Sequence, residues 1–332
     1  MSLIKEISNE LTKRGFCVWA TYEGTISCFD ILARRDNEIF VIKIYKFIEG
    51  ITKSNAEEMK NLVVCLSAYL IVLAEESKNS RLNDDVLYSR YDIAVVTHNT
   101  FKKILDEEYP FLYSTRGNYC AKINREIFSY IKAELNLTLG DIAEILNVSK
   151  QAVYRYETQC RIPQKVIEKF SEIFGKDVIK KVKISKSSQI SQVRSHISKN
   201  NLFEMRPMKK CLYVADKLSA LGFLTWEGTA AFNILAINTN TNTADECHKN
   251  IFGAKQNKKK EDKNFVVVSN DFRVLSKRAN FVEEITEIIP GICICVGRYK
   301  PGKAIGKRTN FIKENDLRNV ETKEEFIDVI KE

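Results

Sequence analysis

Apolar and polar residues alternate along this chain with two different periods. Met1–Phe16 (MSLIKEISNELTKRGF) has the pattern of an amphipathic helix. Strands are predicted over Ile26–Arg34 and Ile39–Tyr45, and the apolar run Val63–Ala74 (VVCLSAYLIVLA) predicts a third. Val96-Thr97 leads into a helix carrying Phe101 and Ile104. The pattern then changes to helices alone. Arg125–Leu135 puts Ile127, Phe128 and Ile131 on one side and ends at Asn136. Leu139, Ile142, Ala143, Ile145 and Leu146 fall on one face of the next helix. After a three-residue turn, a further helix buries Val148, Val153 and Tyr156. Gln164–Phe174 is the last of the group, closed by Gly175.

The stretch Leu139–Glu157 (LGDIAEILNVSKQAVYRYE) predicts two helices that cross steeply. Ala143 is the small residue such a crossing needs. Asn147 is among the few residues other than glycine that tolerate positive φ in the turn. Thr138 can cap the first helix and Ser149 the second. Lys150, Gln151, Tyr154 and Arg155 are left outward, and these are residue types that reach phosphates and base edges in a major groove. A core-packed αα-hairpin is the bland alternative. It would more often mix charge signs on its exposed face, and here no carboxylate comes before Glu157.

The ends of the chain repeat one another. Gly15-Phe16-Cys17-Val18-Trp19 recurs as Gly222-Phe223-Leu224-Thr225-Trp226, and Glu23-Gly24-Thr25 as Glu227-Gly228-Thr229. Phe29-Asp30-Ile31-Leu32-Ala33 recurs as Phe232-Asn233-Ile234-Leu235-Ala236, and Phe40-Val41 matches Phe265-Val266. The run at 63–74 is matched by GICICVG (291–297), and a helix with Phe326 and Ile330 closes the second copy. The predicted fold is therefore α/β plus all-α. Two related α/β domains (1–115 and 207–332) flank a central helix-turn-helix bundle (120–176), with a basic linker at 177–206. Residues Thr239–Asn264 of the second copy are expected as a polar inserted loop.

With 332 residues the chain is too long for one ordinary domain. No apolar run approaches the ~18 residues of a membrane span, and the N-terminus does not look like a signal peptide, so a cytoplasmic protein is expected. Nine cysteines without CxxC pairs, together with only three histidines, argue against zinc. The net charge of +9 favours a polyanionic partner. Residues 176–210 hold ten Lys or Arg against Asp177 and Glu204, a segment suited to following a phosphate backbone or to serving as a solvated linker.

The first copy carries one further constellation. Asp30 on one strand and Lys43 on the next have the spacing of a metal-dependent nuclease site, in which two carboxylates hold Mg²⁺ and a lysine polarises water or phosphate. The second carboxylate's place is taken by Val41, and only Glu23 and Glu38 lie near enough to substitute. In the second copy Asn233 replaces Asp30, and Val268 falls at Lys43. The expectation is a scaffold without metal or cofactor and without enzymatic activity, Asp30 and Lys43 forming a structural ion pair.

Three resemblances rest on these residues. The helices at 120–176, with the YE…R.P pattern that follows, resemble the phage-repressor/Cro-like (Xre-type) DNA-binding domain. Its usual glutamine opening the second helix is here Leu139-Gly140. The N-terminal segment resembles the restriction-endonuclease-like or junction-resolvase fold. The layout as a whole, carried by FDILARR (29–35), VLYSRYDIAVVTHNTF (86–101), YSTRGNYCAKI (113–123) and LGDIAEILNVSKQAVYRYE, resembles an archaeal family of HTH-type transcriptional regulators. These resemblances imply a transcription factor on double-stranded DNA, as a homodimer. Gln151, Tyr154 and Arg155 would contact bases, and Thr138, Ser149, Lys150 and Arg161 the backbone. Ala143, Asn147 and Val153 would form the core of the helix pair. A nuclease using Asp30 and Lys43, or an architectural DNA-binding protein without sequence preference, is the alternative. No effector is legible.

Overall fold

The computed structural model describes residues 2–21, 27–115, 117–184, 209–238, 263–299 and 305–331. The chain begins with helix α1 (Leu3–Lys13), strands β1 (Cys17–Ala20), β2 (Ile31–Arg35) and β3 (Glu38–Phe47), and helix α2 (Lys53–Leu66). Strands β4 (Tyr69–Glu76), β5 (Val86–Arg90) and β6 (Ile93–Val96) lead to α3 (His98–Leu105). The hairpin β7 (Leu112–Thr115) and β8 (Asn118–Ile123) precedes helices α4 (Arg125–Glu134), α5 (Leu139–Leu146) and α6 (Lys150–Gln159). Strand β9 (Arg161–Pro163), helix α7 (Ile167–Phe174) and strand β10 (Ile179–Lys180) follow. The last part is α8 (Lys209–Ala220), β11 (Phe223–Glu227), β12 (Ile234–Asn238), β13 (Lys263–Val268), α9 (Phe272–Ile288), β14 (Ile292–Gly297), β15 (Thr309–Lys313), α10 (Glu314–Asn319) and α11 (Lys323–Lys331). The fold is thus mixed α/β, with eleven helices among the described residues.

Two compact units divide the chain, and neither is one continuous stretch. Unit 1 comprises residues 1–44, 52–70 and 186–332; unit 2 comprises 45–51 and 71–185.

In unit 1, β1, β2 and the start of β3 form an antiparallel meander. Strands β11 to β15 form a second sheet in chain order, its first two pairings antiparallel and its last two parallel. A parallel step needs a crossover, and α9 supplies one between β13 and β14. The core of this sheet is built from Phe223, Ile234, Val266, Ile294, Ile312, Leu317 and Phe326. The N-terminal meander and the second sheet's elements join within the unit. The indole of Trp19 on β1 donates to Glu284 on α9 (3.0 Å), and that of Trp226 on β11 donates to the Glu58 carbonyl on α2 (3.2 Å). Arg34 donates to the carbonyl of Ile288 (3.1 Å), and the Cys28 amide donates to the Thr229 carbonyl.

In unit 2, β4 pairs parallel with β6, β5 lies antiparallel to β6 and parallel to β7, and β8 pairs with β7, β9 and β10. Helices α4 to α7 close over one core. Its centre is Phe128, Phe170 and Phe174, whose rings lie 4.7–5.4 Å apart, with Ile142, Val153, Ile162 and Val178 around them.

Several predicted elements differ from the observed ones. Val63–Ala74 is not a single strand: its first four residues complete the buried face of α2, Ser67 ends the helix in the left-handed conformation, and β4 starts at Tyr69. An apolar run of this length satisfies a buried helix end and a buried strand equally, so periodicity alone cannot separate them. Ile145 lies in solvent at 47% exposure, not on the buried face of α5. Residues 179–180 of the expected linker are strand β10. The remainder of that linker from 185 to 206, the inserted loop up to 262, and Glu23 lie outside the described residues.

Candidate functional site

Helices α5 and α6 are set by local chemistry that can be followed atom by atom. At the start of α5 the Thr138 hydroxyl accepts from the Asp141 amide (3.2 Å), and the Asp141 carboxylate accepts from the Thr138 amide (2.7 Å). This reciprocal cap satisfies two orphan donors. The Thr138 hydrogen bonds, with Lys150 nearby, hold the Asp141 carboxyl below the usual carboxylate range. The helix ends at Asn147, which has φ 53°, and the Val148 amide returns to the Ala143 carbonyl (2.9 Å). The Ser149 hydroxyl then caps α6 through the Ala152 amide (3.2 Å).

Ala143 and Val153 are buried in the common core. Lys150, Gln151, Tyr154, Arg155 and Arg161 are exposed, as are Thr138 and Ser149. The Arg155 side chain folds back toward the Gln151 carbonyl (3.4 Å). Gly140 has a specific consequence: a Cβ there would stand 3.0 Å from the Lys150 Cε and 3.2 Å from its Nζ. The absence of a side chain lets Lys150 lie across the amino end of α5. Glu157, the first carboxylate of α6, is turned to Lys132 (3.2 Å).

A second group of polar residues is buried in unit 1. Asp30 precedes β2 and is 8% exposed. One of its carboxylate oxygens accepts from Lys43 Nζ (2.8 Å), and the other from the Ile44 amide (2.7 Å). Lys43 also donates to the Ser27 carbonyl (2.7 Å). Glu58, on α2, is 4% exposed, and its carboxylate accepts from the Thr229 amide. Burial pushes the Glu58 carboxyl up, against the opposing pull of the Thr229 bonds, Lys43 and Cys28. Burial, and next the Glu58 charge, push the Cys28 thiol well up. Sequence reasoning missed Glu58. Its signal was spacing, since Glu58, Leu62 and Leu66 fall on one side of α2.

Strand register revises one correspondence. The Asp30 amide donates to the Ile42 carbonyl, and the Asn233 amide to the Val266 carbonyl. The Asn233 carbonyl oxygen of the side chain accepts from Val268 N (3.0 Å), as Asp30 accepts from Ile44 N. The position matching Lys43 is therefore Val267, not Val268. Matching letters slipped by one residue, and a one-residue slip moves a strand's side chains to the opposite face.

These geometries can be set beside known proteins. Residues 1–110 match the family model of the PD-(D/E)XK superfamily domain. That match overturns the expectation of no enzymatic activity, because the superfamily is one of restriction-endonuclease-like nucleases. A "Putative HTH-type transcriptional regulatory protein" of Thermoplasma volcanium is 32% identical over 178 residues, 54% of this chain and 57% of that protein. One from Methanobrevibacter smithii is 34% identical over 158 residues, 47% of this chain and 50% of that protein. Another, from Archaeoglobus fulgidus, is 27% identical over 336 residues, 100% of this chain and 97% of that protein. The chain thus matches only about half the length of the first two. No solved structure matches it. No helix among the described residues is long and apolar enough to cross a membrane.

A PD-(D/E)XK site implies a divalent cation held by carboxylates. The described residues do not fit one. Val41, two residues before Lys43, is buried and apolar; Glu38 pairs with Arg35, and Asp30 is occupied on both oxygens. Among the described residues no three His, Cys, Asp or Glu side chains gather as a metal site.

Glu58 makes a prediction of its own. Its folded-state pKa lies above the unfolded value, so the protonated form is the one that folding favours. The stability this adds is present at low pH and is lost as pH rises above ~4.5 toward the raised value. Glu58→Gln keeps the acceptor for Thr229 and removes the ionisation. The variant should gain on the wild type in thermal unfolding as pH rises from ~4.5 to ~7. Parallel curves for the two proteins would show that burial of Glu58 costs nothing.

Proposed function

We propose that this protein is a sequence-specific DNA-binding transcriptional regulator that reads DNA through residues 138–161 of unit 2. In this reading α5 and α6 are a helix-turn-helix of the Xre/Cro type, with Ala143, Asn147 and Val153 at its core and α6 in the major groove. Gln151 and Arg155 contact base edges, with Tyr154 beside them. Thr138, Ser149, Lys150 and Arg161 fix the register on phosphates. The observation that carries the reading is the exposed side of α6, where Lys150, Gln151, Tyr154 and Arg155 stand in solvent without a carboxylate. Lys150, lying over Gly140, puts a cation at the amino end of α5, where the usual glutamine is missing. The names of the archaeal relatives support DNA as the partner.

Segments 1–115 and 207–332 serve as two copies of one α/β domain around the reading module at 120–176. The chain acts as a homodimer, because one module buries too little surface for typical specific affinity. Two half-sites about one helical turn apart follow from two-fold symmetry.

The test is footprinting of the purified chain, with Mg²⁺ present, on fragments it selects from genomic DNA at ~150 mM salt. Arg155→Ala should lose about 1–3 kcal/mol of specific affinity, roughly 5- to 150-fold, with little effect on binding to unselected DNA. An unchanged affinity for the selected fragment would remove Arg155 from the interface.

A second reading is a nuclease. It is favoured by the superfamily match over 1–110 and by the buried Asp30–Lys43 pair inside that segment. It predicts cut ends in the same footprint, dependent on Mg²⁺ and on Asp30.

A further inference from the structure

The strands around β8 carry three cations in a row. Lys122 on β8 stands directly opposite Arg161 on β9 and directly opposite Lys180 on β10. Directly paired residues share a face and lie about 5 Å apart, so the three occupy one line of roughly 10 Å. The register fixes which way they point. Ala121 and Ile123, on either side of Lys122, are buried, as are their partners Ile162 and Ile179. Lys122, Arg161 and Lys180 therefore share the opposite, solvent face, where all three are exposed. None of the three forms an ion pair among the described residues. Arg161 donates to the Gln159 amide oxygen (2.9 Å), and Lys122 lies 5.8 Å from the centre of the Tyr113 ring.

Like charges directly opposite one another across strands destabilise a sheet. Ordinary surface lysines escape this by alternating with acids, and this row has none. Its spacing puts positive charge at a density on the scale of the phosphates of duplex DNA. The row also starts two residues beyond the end of α6.

We infer that the β10–β8–β9 face is a second contact surface for the phosphate backbone of duplex DNA, with Lys122 and Lys180 extending the contact of Arg161. This rests on unit 2 being a DNA-binding module and adds two residues outside its helices. The face grips backbone only, so it contributes affinity and salt dependence and no sequence preference.

The experiment uses the full chain and a 30-base-pair duplex of mixed sequence as probe, titrated between about 50 and 300 mM KCl. Lys122→Gln and Lys180→Gln, singly and together, are compared with Lys103→Gln, a lysine of the same unit paired to Asp85. Each lost phosphate contact should lower the slope of log K against log salt by about 0.9, so the double variant loses roughly 1.8. Lys103→Gln should leave the slope unchanged. Because the substitutions relieve repulsion, melting temperature should hold or rise, which separates lost contact from lost fold. Unchanged slopes in the double variant, with the wild type binding normally, would overturn the inference and leave the helix-turn-helix reading intact. Equal slope losses for Lys103→Gln would overturn it as mere net charge. Failure of the wild type to bind either this duplex or selected genomic fragments would overturn both.

Discussion

Asp30→Ala should cost about 3 kcal/mol of unfolding free energy. The carboxylate serves two donors at once, the Lys43 ammonium at 2.8 Å and the Ile44 amide at 2.7 Å. Removing one member of a buried pair leaves the other charge uncompensated, at a cost of roughly 3–5 kcal/mol. The lower end applies because the side chains of this pair keep 11% and 16% of their surface in solvent. Lys43 retains the Ser27 carbonyl, which softens the loss further. Asp30→Asn keeps an acceptor for Ile44 and should cost about half as much, on the order of 1–2 kcal/mol. Urea unfolding of the three proteins checks the order. Equal stability of wild type and Asp30→Ala would mean that the pair holds nothing together. The two variants also separate the structural and the nuclease reading of residues 1–110. If Mg²⁺-dependent cleavage is present in the wild type and absent in a well-folded Asp30→Asn, the carboxylate does chemistry; cleavage that fades only as stability fades makes it structural.

What could be read in the sequence followed the range of the interactions. The α5–α6 pair was legible because its determinants are local: Thr138 caps three residues ahead, Asn147 turns the chain and Ser149 caps again. Asp30 and Lys43 do pair, but Asp30 lies just before β2 (Ile31–Arg35) rather than on the strand expected over Ile26–Arg34. The joining of residues 3–66 with 209–288 was not. Trp19 meets Glu284 across 265 residues and Trp226 meets Glu58 across 168, and no periodicity encodes such a contact. Glu58 was hidden by a boundary error, since assigning Val63–Leu66 to a strand removed the helix face that would have exposed it as buried. The cation row needed the register of three strands. Lys122, Arg161 and Lys180 are far enough apart in sequence that only pairing brings them into line. For the chemistry of residues 1–110 the difference has another source. Val41 in the place of a carboxylate argued against activity, whereas the superfamily match draws on the whole of residues 1–110.

Phe170→Ala should cost about 4 kcal/mol and should loosen the exposed face of α6, the surface proposed to read DNA, without touching it. Phe170 is fully buried, with its ring 5.4 Å from that of Phe128 on α4 and 4.7 Å from that of Phe174 on its own helix. Truncation of a buried phenylalanine costs roughly 3–5 kcal/mol, because the cavity only partly collapses. Two aromatic neighbours lose ring contacts beyond the buried area, about 0.5–1.5 kcal/mol each in favourable geometry. The same core holds Val153 and Tyr156, which are the buried side of α6. A void beneath them lets α6 shift relative to α5, so the exposed side chains lose their fixed spacing. Phe170→Leu, which keeps most of the volume, should lose under about 1.5 kcal/mol. Helical circular dichroism through urea unfolding reads the stabilities, and affinity for a selected fragment, taken where both variants remain folded, reads the surface. If Phe170→Ala lowers stability by the expected amount while specific affinity holds at the wild-type value, α6 is positioned by its caps and the turn at Asn147 alone. If affinity falls with stability and Phe170→Leu restores both, the aromatic cluster is what keeps α6 in register.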